Sequence, residues 1–133
     1  MTPPLIKKTM KSRSPRKLIS HTGDVYIVGK RVGAGSFGTV HEATSETIQT
    51  HPLVVKIERA DARVAQVEYE YRVYKELANG PGIPRVHAIL TDNAVHPKYR
   101  AILMDRCGPT LDDCAPLHMS YIIVIAIQLI ERL

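Results

Sequence analysis

The segment GAGSFGTV, residues 33–40, sets Gly33, Gly35 and Gly38 in a G-x-G-x-x-G spacing, and VVKIE follows at residues 54–58 with Lys56 eighteen residues past Gly38. Glycines spaced this way let backbone N–H groups approach anionic oxygens with no Cβ between them. The flanking residues separate the loops that use such spacing. A Walker loop needs a lysine directly after its last glycine, where Thr39 stands. A Rossmann unit needs a helix after the loop and an acid about twenty residues on. Glu58 meets that count, but TVHEATSETIQT, residues 39–50, is rich in β-branched and hydroxyl residues that form helices poorly. Lys56 would also place an ammonium in a parallel strand covered on both faces. A glycine hairpin continued by Val40 would put Lys56 to use, since a lysine on the next strand can reach bound phosphates when a glutamate on the following helix holds it.

Local patterning provides those neighbours. Val25 to Val32 is rich in β-branched residues and leads into the glycines as a strand. Thr39 to Thr44 suits a strand or a weak helix, and Leu53 to Ile57 is a strand after the polar loop SETIQTHP, 45–52. Residues 62–78, ARVAQVEYEYRVYKELA, form the clearest helix, with Val64, Val67, Tyr71, Tyr74 and Leu77 in one stripe. Asn79-Gly80 is expected to close it as a left-handed cap, and PGIP, 81–84, to stop it. Arg85 to Leu90 and Tyr99 to Met104 read as strands, and Leu117 to Leu133 as a second helix, apolar on nearly every side. Strands grouped on either side of one helix predict an α+β fold with a mainly antiparallel sheet. Glu70 falls inside the helix stripe, between Leu77 and Tyr74, whereas Glu68 and Glu76 lie off it. A carboxylate on a packed face needs a cation, and Lys56 is the candidate.

Composition excludes several functions. At 44% hydrophobic, the 133 residues suit one globular domain. Cys107 and Cys114 make neither a disulfide framework nor a zinc spacing, which points to a reducing, cytoplasmic or nuclear compartment. The six histidines are scattered, and His41-Glu42 lacks the second histidine of a metalloprotease helix, so no metal site is expected. The net charge of +5 divides unevenly: residues 1–22 carry six basic residues and no acid, leaving 12 basic against 13 acidic residues elsewhere. Residues 1–22 therefore read as a basic, disordered arm, with Pro3, Pro4 and Pro15 set against a helix. Such an arm suits an acidic surface or nuclear import. A body without basic excess argues against nucleic acid as a partner. The apolar run Ile122 to Ile127 is far too short for a membrane span.

Together these residues resemble the serine/threonine protein kinases, and within them the casein kinase I group, from about Tyr26 to the last residue. VGAGSFGTV (32–40) is similar to the family's glycine loop and VVKIE to its lysine strand. YEYRVYKEL (69–77) and NGPGIP (79–84) resemble the helix and turn that follow, and LMDRCGPTLDD (103–113) the gatekeeper, hinge and Gly-Pro-Ser-Leu-Glu-Asp stretch. The Gly-Ile-Pro and Gly-Pro-Thr-Leu-Asp-Asp signals mark the casein kinase I group. The resemblance implies a kinase small lobe at 23–104, hinge and linker at 105–116, and the first long helix of the large lobe at 117–133. It implies ATP-dependent phosphorylation of serine or threonine on protein substrates. ATP would lie against Val32, Gly33, Gly35, Ser36, Phe37, Gly38, Val40, Val54, Lys56 and the gatekeeper Met104, with the backbone of Asp105 and Cys107 on adenine and Glu70 positioning Lys56. Val54 stands where the family usually has alanine, implying a tighter adenine slot. Mg2+ is expected for the family, yet none of the 133 residues matches its Asp-Phe-Gly and asparagine ligands or the His-Arg-Asp loop. This chain alone is therefore expected to be inactive. A non-catalytic nucleotide- or partner-binding module is the alternative, and a Rossmann-type oxidoreductase the third reading. The apolar helix 117–133 is expected to favour self-association or a protein partner.

Overall fold

Leu53, Val55 and Ile57 alternate with Val54, Lys56 and Glu58, and this two-residue period assigns the two faces of the central strand. The computed structural model describes residues 15–133 apart from Phe37 and Asn79. Its elements run β1 (Lys17–Ser20), β2 (Val25–Gly35), β3 (Gly38–Ser45), β4 (Leu53–Arg59), α1 (Gln66–Glu76), β5 (Val86–Thr91), β6 (Tyr99–Asp105) and α2 (Met119–Glu131). Every strand pair is antiparallel, in the order β1-β2-β3-β4-β6-β5, and β1 pairs with β5 to close a barrel. The core lies inside it: Leu53, Val55 and Ile57 from β4 meet Leu18, Tyr26, Ala43, Leu90, Ala101 and Leu103 from the other five strands. The segment expected as strand or weak helix, Thr39 to Thr44, is strand β3.

Three expectations change. The basic arm does not extend to residue 22. Residues 1–14 lie outside the described chain, but Lys17–Ser20 is a strand with Leu18 fully buried and Lys17 exposed. Leu18 and Ser20 alternate inward, and the strand pairs with Tyr26 and Ile27 on one side and with Leu90 and Thr91 on the other. A strand of four residues becomes stable only by being sandwiched in this way.

The first helix, expected over 62–78, spans Gln66–Glu76. Val64 and Leu77 lie outside it and are exposed, so the buried stripe contracts around Val67. Its start is set from a distance. No side chain at the cap position, Ala65, bonds the first turn. Instead the buried Glu58 accepts from the Val67 N–H at 3.2 Å, satisfying a donor that a helix start otherwise leaves unmet. The left-handed cap expected at Asn79-Gly80 involves Asn79, which lies outside the described residues. The second helix is shorter than 117–133, at Met119–Glu131, and none of its residues is buried.

Candidate functional site

Strands β3, β4 and β6 present one continuous outer face. The register partners Val40↔Lys56, Lys56↔Ile102 and Val54↔Met104 place Val40, Val54, Lys56, Ile102 and Met104 side by side on it. Helix α1 packs against β4, β5 and β6, and Ile102 and Val67 are both buried there. This packing brings Glu70 over β4. The Lys56 ammonium donates to both Glu70 oxygens, at 2.6 and 2.8 Å, with the two side chains only 28% and 29% exposed. Each charge answers the partial desolvation of the other. An ammonium carries three protons, so one remains for a further anionic oxygen. A second tie between sheet and helix runs from Arg100 on β6 to Glu68, at 2.8 Å.

The glycine turn closes the upper end of β2 and β3. Gly35 pairs with Gly38, and Ser36 forms the turn; Phe37, expected in the same loop, lies outside the described residues. Gly38 has φ +149°, and a Cβ there would collide with the Ile57 carbonyl, so its missing side chain lets β3 approach β4. At Gly35 a Cβ would meet nothing within 4 Å, leaving that backbone open to a ligand. Val32 sits at an irregularity between the Arg31↔His41 and Gly33↔Val40 pairs and is exposed. A pocket of 390 Å³ opens beside this turn, lined by Ser36, Gly38, Glu58, Arg59 and residues 62–64. It lies at the glycine end and not at the Val54–Met104 end. In its wall Arg59 binds Asp61 through two bonds, 2.8 and 2.7 Å, which hold the Asp61 carboxyl below the usual range.

At the other end the chain leaves β6 through Asp105. The Asp105 N–H already donates to the Arg85 carbonyl at 3.0 Å, and the Arg106 N–H to the Pro52 carbonyl at 3.0 Å. What the Asp105 backbone can offer a ligand is therefore its carbonyl. Arg106 also reaches Glu42 at 2.8 Å, and Cys107 is exposed just beyond. Thr110 donates its hydroxyl and its N–H to Asp113, at 2.7 and 3.0 Å, locking the following turn and holding the Asp113 carboxyl low.

Two roles carry no local signal in the sequence. Glu58, which stands at the count of a Rossmann ribose acid, anchors α1 instead, and the residues after the glycines continue as β3 in an antiparallel sheet. That corrects the oxidoreductase reading, because no crossover helix follows the loop. The Asp105 side chain turns to His87 and His51, two histidines 36 residues apart in sequence. No local pattern signals that meeting.

Comparison with known proteins follows the same lines. Casein kinase I homolog 2 of Saccharomyces cerevisiae is 35% identical over 88 residues, covering 66% of this chain and 15% of that protein. Casein kinase I homolog 3 of Schizosaccharomyces pombe is 36% identical over 88 residues, covering 66% of this chain and 19% of its own length. The chain thus spans less than a fifth of either relative. A solved structure of vaccinia related kinase 3 superposes with a TM-score of 0.53 at 16% identity, covering 83% of this chain and 36% of that one, a likeness of fold. No protein-family model matches the sequence.

Proposed function

Because this chain belongs with the casein kinase I-like protein kinases and carries their small-lobe fold, we propose that the outer face of its barrel binds ATP as the nucleotide-holding part of a serine/threonine protein kinase. The observation that carries this reading is the Lys56–Glu70 pair, set on the same face as Val40, Val54 and Met104. In this reading the adenine lies between Val40 and Val54 beside Met104 and accepts and donates at the backbone of Asp105 and Cys107. The Gly33–Gly38 turn and Ser36 cover the phosphates, and Lys56, aimed by Glu70, neutralises them. Val32 closes the open side.

When bound, Mg2+ would neutralise phosphate charge. No residue of these 133 matches the family's positions for holding it, so no step is assigned through it. The phosphoryl acceptor in this reading is a protein serine or threonine. Exposed aliphatic side chains along α2 suit contact with further protein, whether another part of a kinase, a partner or a second copy. Among the described residues no helix is long and apolar enough to cross a membrane.

Titration of the chain with a fluorescent ATP analogue tests the reading. Saturable binding that ATP displaces and that Lys56→Met weakens by at least about tenfold is expected, since a charge-assisted bond to phosphate contributes about 1.5–3 kcal/mol. Equal binding by both proteins would overturn it.

A further inference from the structure

We propose that His51, His87 and Asp105 form a binding site for a divalent transition-metal ion of the zinc type, beside the hinge. The three come from separate parts of the fold: His51 from the loop before β4, His87 from β5, and Asp105 from the end of β6. Their donor atoms converge. His51 Nε2 lies 2.8 Å and His87 Nε2 2.6 Å from the same Asp105 oxygen, Oδ1, and the two Nε2 atoms are 3.5 Å apart. Both rings direct Nε2 to that one oxygen, and the imidazoles stack with centroids 5.5 Å apart and planes inclined by 25°.

Two imidazoles and one carboxylate are a ligand set that zinc accepts, with about 2.0–2.2 Å to each atom and a tetrahedral preference that sets donors roughly 3.3 Å apart. The nitrogen pair already has that spacing. The two nitrogen–oxygen contacts need to open by roughly half an ångström, which side-chain rotation supplies, to replace shared protons with a metal ion. Orientation is prepared as well. The Nδ1 atom of His51 lies 2.8 Å from the Thr50 hydroxyl, the kind of outer contact that fixes which ring nitrogen faces a metal. At 32%, 15% and 34% exposure, the side chains are partly buried yet reachable from solvent. The bond network without metal is the competing account: one carboxylate oxygen shared by two ring nitrogens. The two accounts differ in what added metal does.

The test is titration of the metal-free 133-residue protein with zinc chloride, followed by calorimetry and by the melting temperature, with circular dichroism confirming the fold of each variant. One ion per chain and a rise in melting temperature are expected. His51→Gln, in an outer loop, and Asp105→Asn should each weaken binding by at least about tenfold, the loss commonly seen even for outer partners of a metal ligand. A Cys107→Ser, Cys114→Ser variant should bind as before, because those exposed thiols are not part of the site. Cobalt in place of zinc should show the visible absorption of a tetrahedral site, lost in His51→Gln. Absence of binding, binding unchanged in both His51→Gln and Asp105→Asn, or binding lost with the cysteines would each overturn the proposal.

Discussion

Breaking the Lys56–Glu70 pair measures how firmly α1 is tied to the sheet. Exposed ion pairs contribute about 0.2–1 kcal/mol, whereas removing one partner of a fully buried pair costs about 3–5 kcal/mol. This pair is 28% and 29% exposed and joined by two short bonds. Each single change, Lys56→Met or Glu70→Gln, is therefore expected to cost about 1–2 kcal/mol, between those limits. The double variant should lose about 1 kcal/mol less than the sum, because the second change no longer strands a charge. Urea unfolding followed by circular dichroism on all four proteins gives the coupling directly. Moderate salt should alter it little, since partly buried charges are weakly screened. Single effects that add to within about 0.5 kcal/mol would refute the reasoning and make the pair an incidental surface contact.

Other perturbations separate neighbouring features. Gly38→Ala should destabilise by about 1–3 kcal/mol in thermal melts, from its positive φ and the Ile57 carbonyl, while Gly35→Ala should keep the fold and weaken binding of the ATP analogue. Equal stability losses at the two glycines would contradict the hairpin geometry. Leu18→Ala should cost about 2–5 kcal/mol, the range for an aliphatic side chain removed from a core, and an unchanged urea midpoint would deny β1 its place in the barrel. Burial, aided by the charge of Asp24, raises the pKa of Tyr26, which is 5% exposed. Its contribution is complete below the ordinary tyrosine value and is lost as pH rises through the raised one, so Tyr26→Phe should blunt alkaline unfolding in melts above about pH 10. Along α2, Ile123, Leu129 and Ile130 are 53%, 62% and 68% exposed, so light scattering at micromolar concentration should show association that Leu129→Lys with Ile130→Lys reduces; a monomer at all concentrations would count against it.

What could be read from the sequence was what neighbours in sequence decide. The alternation of VVKIE and the helical phase of Glu70 are local, and the strand and helix they describe both form. The boundaries of α1 were not legible, because its first turn is satisfied by Glu58, nine residues earlier on another element. β1 was hidden by its own composition. Pro15 and Arg16 precede it and Lys17 opens it, and only its pairing with β2 and β5 makes Leu18 a core residue. The His51–His87–Asp105 cluster was invisible for the same reason: its members are ordinary until the barrel closes.

That closure carries a consequence for the order of folding. The partners of Ile19 and Ser20 in β5 are synthesised roughly seventy residues later, so the ring joins its two ends across one of the longest separations in the fold, where loop-closure entropy weighs most. Of the six strands described, β1 is made first and is among the last to find both neighbours. Until β5 emerges, Leu18 and the free edge of β1 stand open to other chains, and the finished ring removes that edge. The vulnerability to misassembly therefore belongs to the nascent chain, in the interval between the making of β1 and the arrival of β5.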